Sequence, residues 1–156
     1  MLKVATINKV IGVRKVVSFF NYIAFDGPEV VRLAGVGLML MIGLTHMYAF
    51  PEHFHVAVYL GLSFAALFAG TLAAAFGVMR GRKWGWKLGT ALCIIAIVAY
   101  ILSRLFGFPD FPAARGAWDT PSGTIAVAFE LTFIAIYLAI VTGIAVAYPD
   151  RQGWHD

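Results

Sequence analysis

The sequence predicts an all-α polytopic membrane protein, an antiparallel four-helix transmembrane bundle with an N-terminal amphipathic interfacial helix. Three observations lead there. Of 156 residues, 61% are hydrophobic and 13% charged, against about 45–50% and about 25% in soluble domains. Four apolar runs each reach the roughly 20 residues that a helix needs to cross hydrocarbon. Lys and Arg gather in short groups beside those runs, the pattern of topology signals rather than of a nucleic-acid surface. The lipid bilayer is therefore the expected solvent, with no nucleic-acid partner. A chain of this length makes a single membrane domain over 1–156.

Residues 1–27 open with Lys3, Lys9, Arg14 and Lys15 and continue into "VVSFFNYIAF". A secretory leader would need a small-residue cleavage site, where bulky Phe25 stands, so this segment reads as a cytoplasmic interfacial helix. The next stretch, "DGPE", gives Asp26 as a helix cap, Pro28 in the first turn and Glu29 three residues after the cap.

The expected spans are about 30–50, 56–79, 84–108 and 124–148. Arg80, Arg82, Lys83 and Lys87 crowd the turn after the second span, while the turn after the first has no Lys or Arg. The positive-inside rule places both termini in the cytoplasm of a multi-pass cell-membrane protein. "DTPS" at Asp119–Ser122 repeats the cap-and-proline start before the fourth span. Trp84, Trp86 and Tyr148 are expected as a cytoplasmic aromatic belt. The aromatic and proline-rich loop "GFPDFPAARGAWDTPSG" is expected to lie against the opposite headgroups, as a lid over any pocket there.

Small residues predict the packing. Gly61, Ala65, Ala69, Ala73 and Gly77 recur every fourth residue in the second span, with Ala66, Gly70 and Ala74 alongside. Such a face lets a second backbone approach closely, which matters where lipid supplies no hydrophobic drive. Gly85 and Gly89 play that part in the third span, and Ala139, Gly143 and Ala147 in the fourth. Any small face left over would mark contact with other membrane subunits or with further copies of the chain. Cys93 is the single cysteine, so no intrachain disulfide forms, and it reads as a small packed hydrophobe.

Polar groups inside the spans carry the functional expectations. His46 and Arg104 lie four residues from their outer span ends, roughly 6 Å deep, and Glu130 lies roughly 9 Å deep. An intramembrane charge must be paired or wet, so Arg104 and Glu130 are expected to form a structural ion pair with His46 beside them, or Arg104 to snorkel to the interface on its long stem. "PEHFH" adds Glu52, His53 and His55 at the mouth of the second span. A set drawn from His46, His53 or His55, and Glu130 or Glu52 would suit zinc, copper or iron. His53 and His55, two residues apart, would share an ion only in a non-helical turn. Haem fits less well, because only His46 lies within a span. No Gly-rich phosphate loop or nucleophile–base–acid set is present, so nothing favours an enzyme. Ser63 and Ser103 are expected to bond to their own helix backbone.

With "HMYAFPEHF", "YLG", "SRLFGFP" and "AFELTF" in place, the chain resembles a group of small uncharacterised four-span bacterial membrane proteins. The resemblance covers roughly Leu33 to Leu138. It implies the bundle and the cluster His46, Glu52, His53, Arg104 and Glu130, with no reaction attached; His55 stands outside its pattern. The expected function is a non-catalytic accessory subunit of a larger membrane complex, holding copper, zinc or iron at an outer His/Glu cluster. The alternatives are a proton-coupled transporter using Glu130 and a haem or metal oxidoreductase.

Overall fold

The computed structural model describes residues 27–145 and 147. They form four helices: α1 (Pro28–Val56), α2 (Val58–Met79), α3 (Lys83–Phe106) and α4 (Pro121–Val141), with a 3-10 turn at Pro112–Ala114. All four helices are long and apolar enough to cross a membrane. Each packs on its neighbour in sequence, and α4 packs back on α1. The interfacial helix expected over 1–27 lies outside the described residues except for Gly27, as does the proposed cap Asp26. Gly27 takes the capping position of α1, followed by Pro28 in the first turn.

The first span departs most from expectation. Rather than ending near Phe50 with "PEHFH" as a turn, α1 continues through Pro51 to Val56. Pro51 cannot donate to the carbonyl four residues back, yet the helix persists for a further five residues. A single extended residue, Ala57 (φ −157°, ψ 131°), separates α1 from α2, and its N–H donates to the His53 carbonyl at 3.0 Å. So short a link brings two backbones together. A Cβ added at Gly61 would lie 2.7 Å from the Phe54 Cα, so the junction requires glycine there.

Large side chains enter gaps left by small ones. Trp86 is completely buried, stacked on Phe133 at 5.2 Å, and its ring fills the place of a side chain at Gly35. Gly89 admits the Phe133 ring and the Met39 sulfur in the same way. These contacts interlock α1, α3 and α4 through close dispersion contact. They also correct one expectation: Trp84 is half exposed, but Trp86 belongs to the core and not to an interfacial belt. Tyr148 lies outside the described residues. Cys93 is a buried free thiol, in keeping with its reading as a packed hydrophobe.

The small-residue face of α2 is only partly used within the bundle. Gly61 and Gly77 are buried and Ala65 is half-buried, but Ala69 and Ala73 are exposed. The interior face lies further round, with Thr71, Ala74, Ala75 and Val78 buried. In α4 the expected ridge fails for a different reason. The helix ends at Val141, and Gly143 adopts φ 75°, turning the chain so that the Ala145 N–H donates to the Ala139 carbonyl. Gly143 and Ala147 therefore leave the helical register, although Ala147 is buried. The start of α4 also differs: Thr120, not Asp119, is the capping residue, with Pro121 in the first turn.

Candidate polar site between α1 and α4

On α1 the buried positions Val31, Gly35, Met39 and Ile42 advance by three or four residues, which is one face of a helix. His46 is the next step along that face. On α4 the corresponding stripe is Glu130, Phe133 and Ile140, also buried. Packing α4 on α1 sets an imidazole against a carboxyl: His46 Nε2 lies 3.6 Å from Glu130 Oε1. The Glu130 side chain is 2% exposed and that of His46 11% exposed. Of the expected convergence, this is the part that forms.

The other ring nitrogen fixes the imidazole. His46 Nδ1 lies 2.8 Å from the Ile42 carbonyl oxygen. A carbonyl only accepts, so Nδ1 carries the hydrogen and Nε2 is left to face Glu130. At 3.6 Å the contact falls short of a hydrogen bond, and Glu130 Oε1 is buried with no hydrogen-bond partner. Buried polar atoms in this condition are few.

Phe64 of α2 borders the pair. Its ring centroid is 5.5 Å from that of His46 and 4.3 Å from that of His53, which stacks on it at 28°. Two imidazoles of α1 thus lie against one phenyl ring. His53 is held as His46 is, with Nδ1–H donating to the Ala49 carbonyl at 2.8 Å. Phe111, from the loop between α3 and α4, meets the His53 ring edge-on at 5.9 Å. That part of the loop does cover the histidine end of the bundle.

Arg104 does not join the site, which overturns the expected Arg104–Glu130 ion pair. Its guanidinium turns to the loop, donating to the Ala114 carbonyl at 3.2 Å and to Thr120 Oγ1 at 3.1 Å. It lies over the Tyr100 ring at 4.7 Å, and its own carbonyl accepts from the Gly116 N–H. The reason is geometric. Arg104 stands near the end of α3, about three turns beyond Cys93, the residue of that helix within reach of Glu130, so its flexible stem meets the loop instead.

The histidine cluster disperses because "PEHFH" is helical. Successive helical residues turn by about 100°, so His53 and His55 diverge by about 200°. His53 is half-buried, whereas Glu52 and His55 are exposed. Among the described residues, no group of three His, Cys, Asp or Glu side chains is placed to hold a metal ion. The expected ligand set for copper, zinc or iron is thus not assembled. His46 also makes a poor haem ligand here, with one nitrogen on a carbonyl and the other facing a carboxyl. Ser63 and Ser103 donate to the Tyr59 and Tyr100 carbonyls of their own helices, as expected.

What sequence reading missed was Phe64, the ring between the two imidazoles. The available signal was its position four residues after Leu60 on the buried side of α2. No family model matches this chain, and no curated protein or solved structure matches it either.

Proposed function

We propose that the chain is a non-catalytic accessory subunit of a larger membrane complex. In this reading the four helices span the cell membrane as an antiparallel bundle with both termini cytoplasmic. One observation carries the accessory role: the small-residue seam on α2 that internal packing leaves open. Leu62, Ala66, Ala69, Ala73 and Phe76 are all exposed, and they are spaced alternately by four and three residues. That spacing is the seam of two helices crossing at a shallow angle. Small residues at its centre let the partner's backbone approach, the usual basis of helix association in lipid. The occupant this favours is a transmembrane helix of another subunit. A metal at the histidine end is no part of the proposal, since the described residues provide no ligand set.

The test is native electrophoresis of membranes solubilised in mild detergent, followed by identification of the co-migrating chains. The proposal expects the wild-type chain in a larger assembly of unlike subunits, and Ala69→Leu, which fills the seam, released from it. Migration alone, or only in multiples of its own mass, would overturn the accessory role.

A further inference from the structure

We infer that His46 and Glu130 form a proton-transfer site, in which Nε2 and Oε1 share one proton and His46 connects the carboxyl to the aqueous surface. This goes beyond the accessory role and does not depend on it. The geometry supports it in three steps. First, the Ile42 carbonyl occupies Nδ1–H, so only Nε2 is available to Glu130. Second, Oε1 is buried without a hydrogen bond and faces that nitrogen at 3.6 Å. Third, an isolated charge is costly in such a place, so of the possible proton counts only one leaves the pair without net charge.

Two neutral arrangements exist. In one, the carboxylic acid faces a neutral imidazole; in the other, a carboxylate faces an imidazolium. Transfer breaks the Oε1–H bond, forms Nε2–H and leaves the net charge unchanged. A small approach of the two side chains is enough to bring the atoms within hydrogen-bond range. Of the two side chains the imidazole is the more exposed at the outside of the bundle, so exchange with solvent begins there. Water reaching Nε2 takes its proton from the imidazolium and later returns one to the same atom, while Nδ1–H stays on the Ile42 carbonyl.

The surroundings bear on the route. From α1, His53 lies within electrostatic reach of His46, and from α3 Cys93 lies within reach of Glu130. Phe64 of α2 separates the two imidazoles and bars direct transfer between them. Arg104 is committed to the loop. The pair therefore exchanges its proton through His46, with Phe64 and Phe111 limiting the approach of water from the His53 side.

The experiment uses the full chain in lipid nanodiscs with carboxyl-13C glutamate, followed by infrared spectroscopy. The chain has three glutamates. Glu29 and Glu52 are exposed, so a carboxyl band distinct from theirs reports Glu130 without any substitution. After transfer to heavy water, the rate at which the acid band shifts measures proton exchange. His46→Phe keeps a ring and removes both nitrogens, and it is expected to slow that shift by about tenfold or more, which is roughly 1.4 kcal/mol in barrier. Phe64→Leu opens the approach and is expected to quicken it. The inference is overturned if no protonated Glu130 band appears across roughly pH 4 to 10. It is equally overturned if that band exchanges as fast in His46→Phe as in the wild-type chain. Should His46→Phe fail to fold, 15N-histidine spectra of the wild-type chain decide: Nδ1 must stay protonated while Nε2 changes with the carboxyl band.

Discussion

A methyl group added at Gly85 would be driven into main-chain atoms of Gly77 and Val78, which have no rotamer by which to give way. At Gly37 the same methyl would meet nothing within 4 Å. The two glycines look alike in sequence and are predicted to behave oppositely. Gly85→Ala should destabilise the chain by about 1–3 kcal/mol through overpacking. Gly37→Ala should be neutral or stabilising by up to about 1 kcal/mol, because alanine orders a helix at less entropic cost. Thermal unfolding of both variants in one detergent checks the pair of outcomes. The expectation that Gly85 and Gly89 permit close contact was legible from small residues at helical spacing. That Trp86 enters the gap at Gly35 was not legible, because spacing says where room exists and not which ring takes it.

The loop between α3 and α4 shows what one side chain does for an element. Arg104 bonds two separate points of it, Ala114 and Thr120, and its backbone carbonyl holds a third at Gly116. Hydrogen bonds from a charged donor are each worth about 1.5–3 kcal/mol, so removing them should loosen residues 107–120 without unfolding the bundle. Hydrogen–deuterium exchange is predicted to rise in that loop for Arg104→Met, by roughly tenfold or more. Arg104→Lys should behave nearly as badly, since an ammonium cannot span the two acceptors as a planar fork does. Were Arg104 instead the ion-pair partner of Glu130, the lysine variant would keep most of the protection. Nothing in the residue pattern chose between these roles. Counting residues inward yields a level along the membrane normal, which is why His46, Arg104 and Glu130 seemed to converge. Arg104 shares its face of α3 with Cys93, which lies within reach of Glu130, but it stands about three turns, roughly 16 Å, further along the helix, so the level failed and not the face. The "PEHFH" segment misled for a related reason. Proline within an apolar run is ordinarily a boundary, whereas Pro51 lies in the last turns of α1, near the helix end at Ala57.

At the scale of the molecule, composition and span length foretold four long apolar helices because neither needs contacts. Orientation rests on charge alone. The turn at 80–83 carries Arg80, Arg82 and Lys83, while no Lys or Arg lies between Arg32 and Arg80. The proposed arrangement therefore sets the α1–α2 junction and the α3–α4 loop on the external side, opposite the α2–α3 turn. Cysteine labelling tests this directly, because the only native thiol, Cys93, is buried and can be removed as Cys93→Ala. In that background, Glu52→Cys and Asp110→Cys probe the two segments proposed as external, and Arg82→Cys probes the opposite turn. All three positions are exposed, so a failure to react reflects the membrane rather than packing. A membrane-impermeant maleimide added to intact cells is expected to label the first two and to reach Arg82→Cys only after permeabilisation. The reverse pattern would invert the topology while leaving the bundle intact. Equal labelling of Glu52→Cys and Arg82→Cys from one side would mean that α2 does not cross the bilayer.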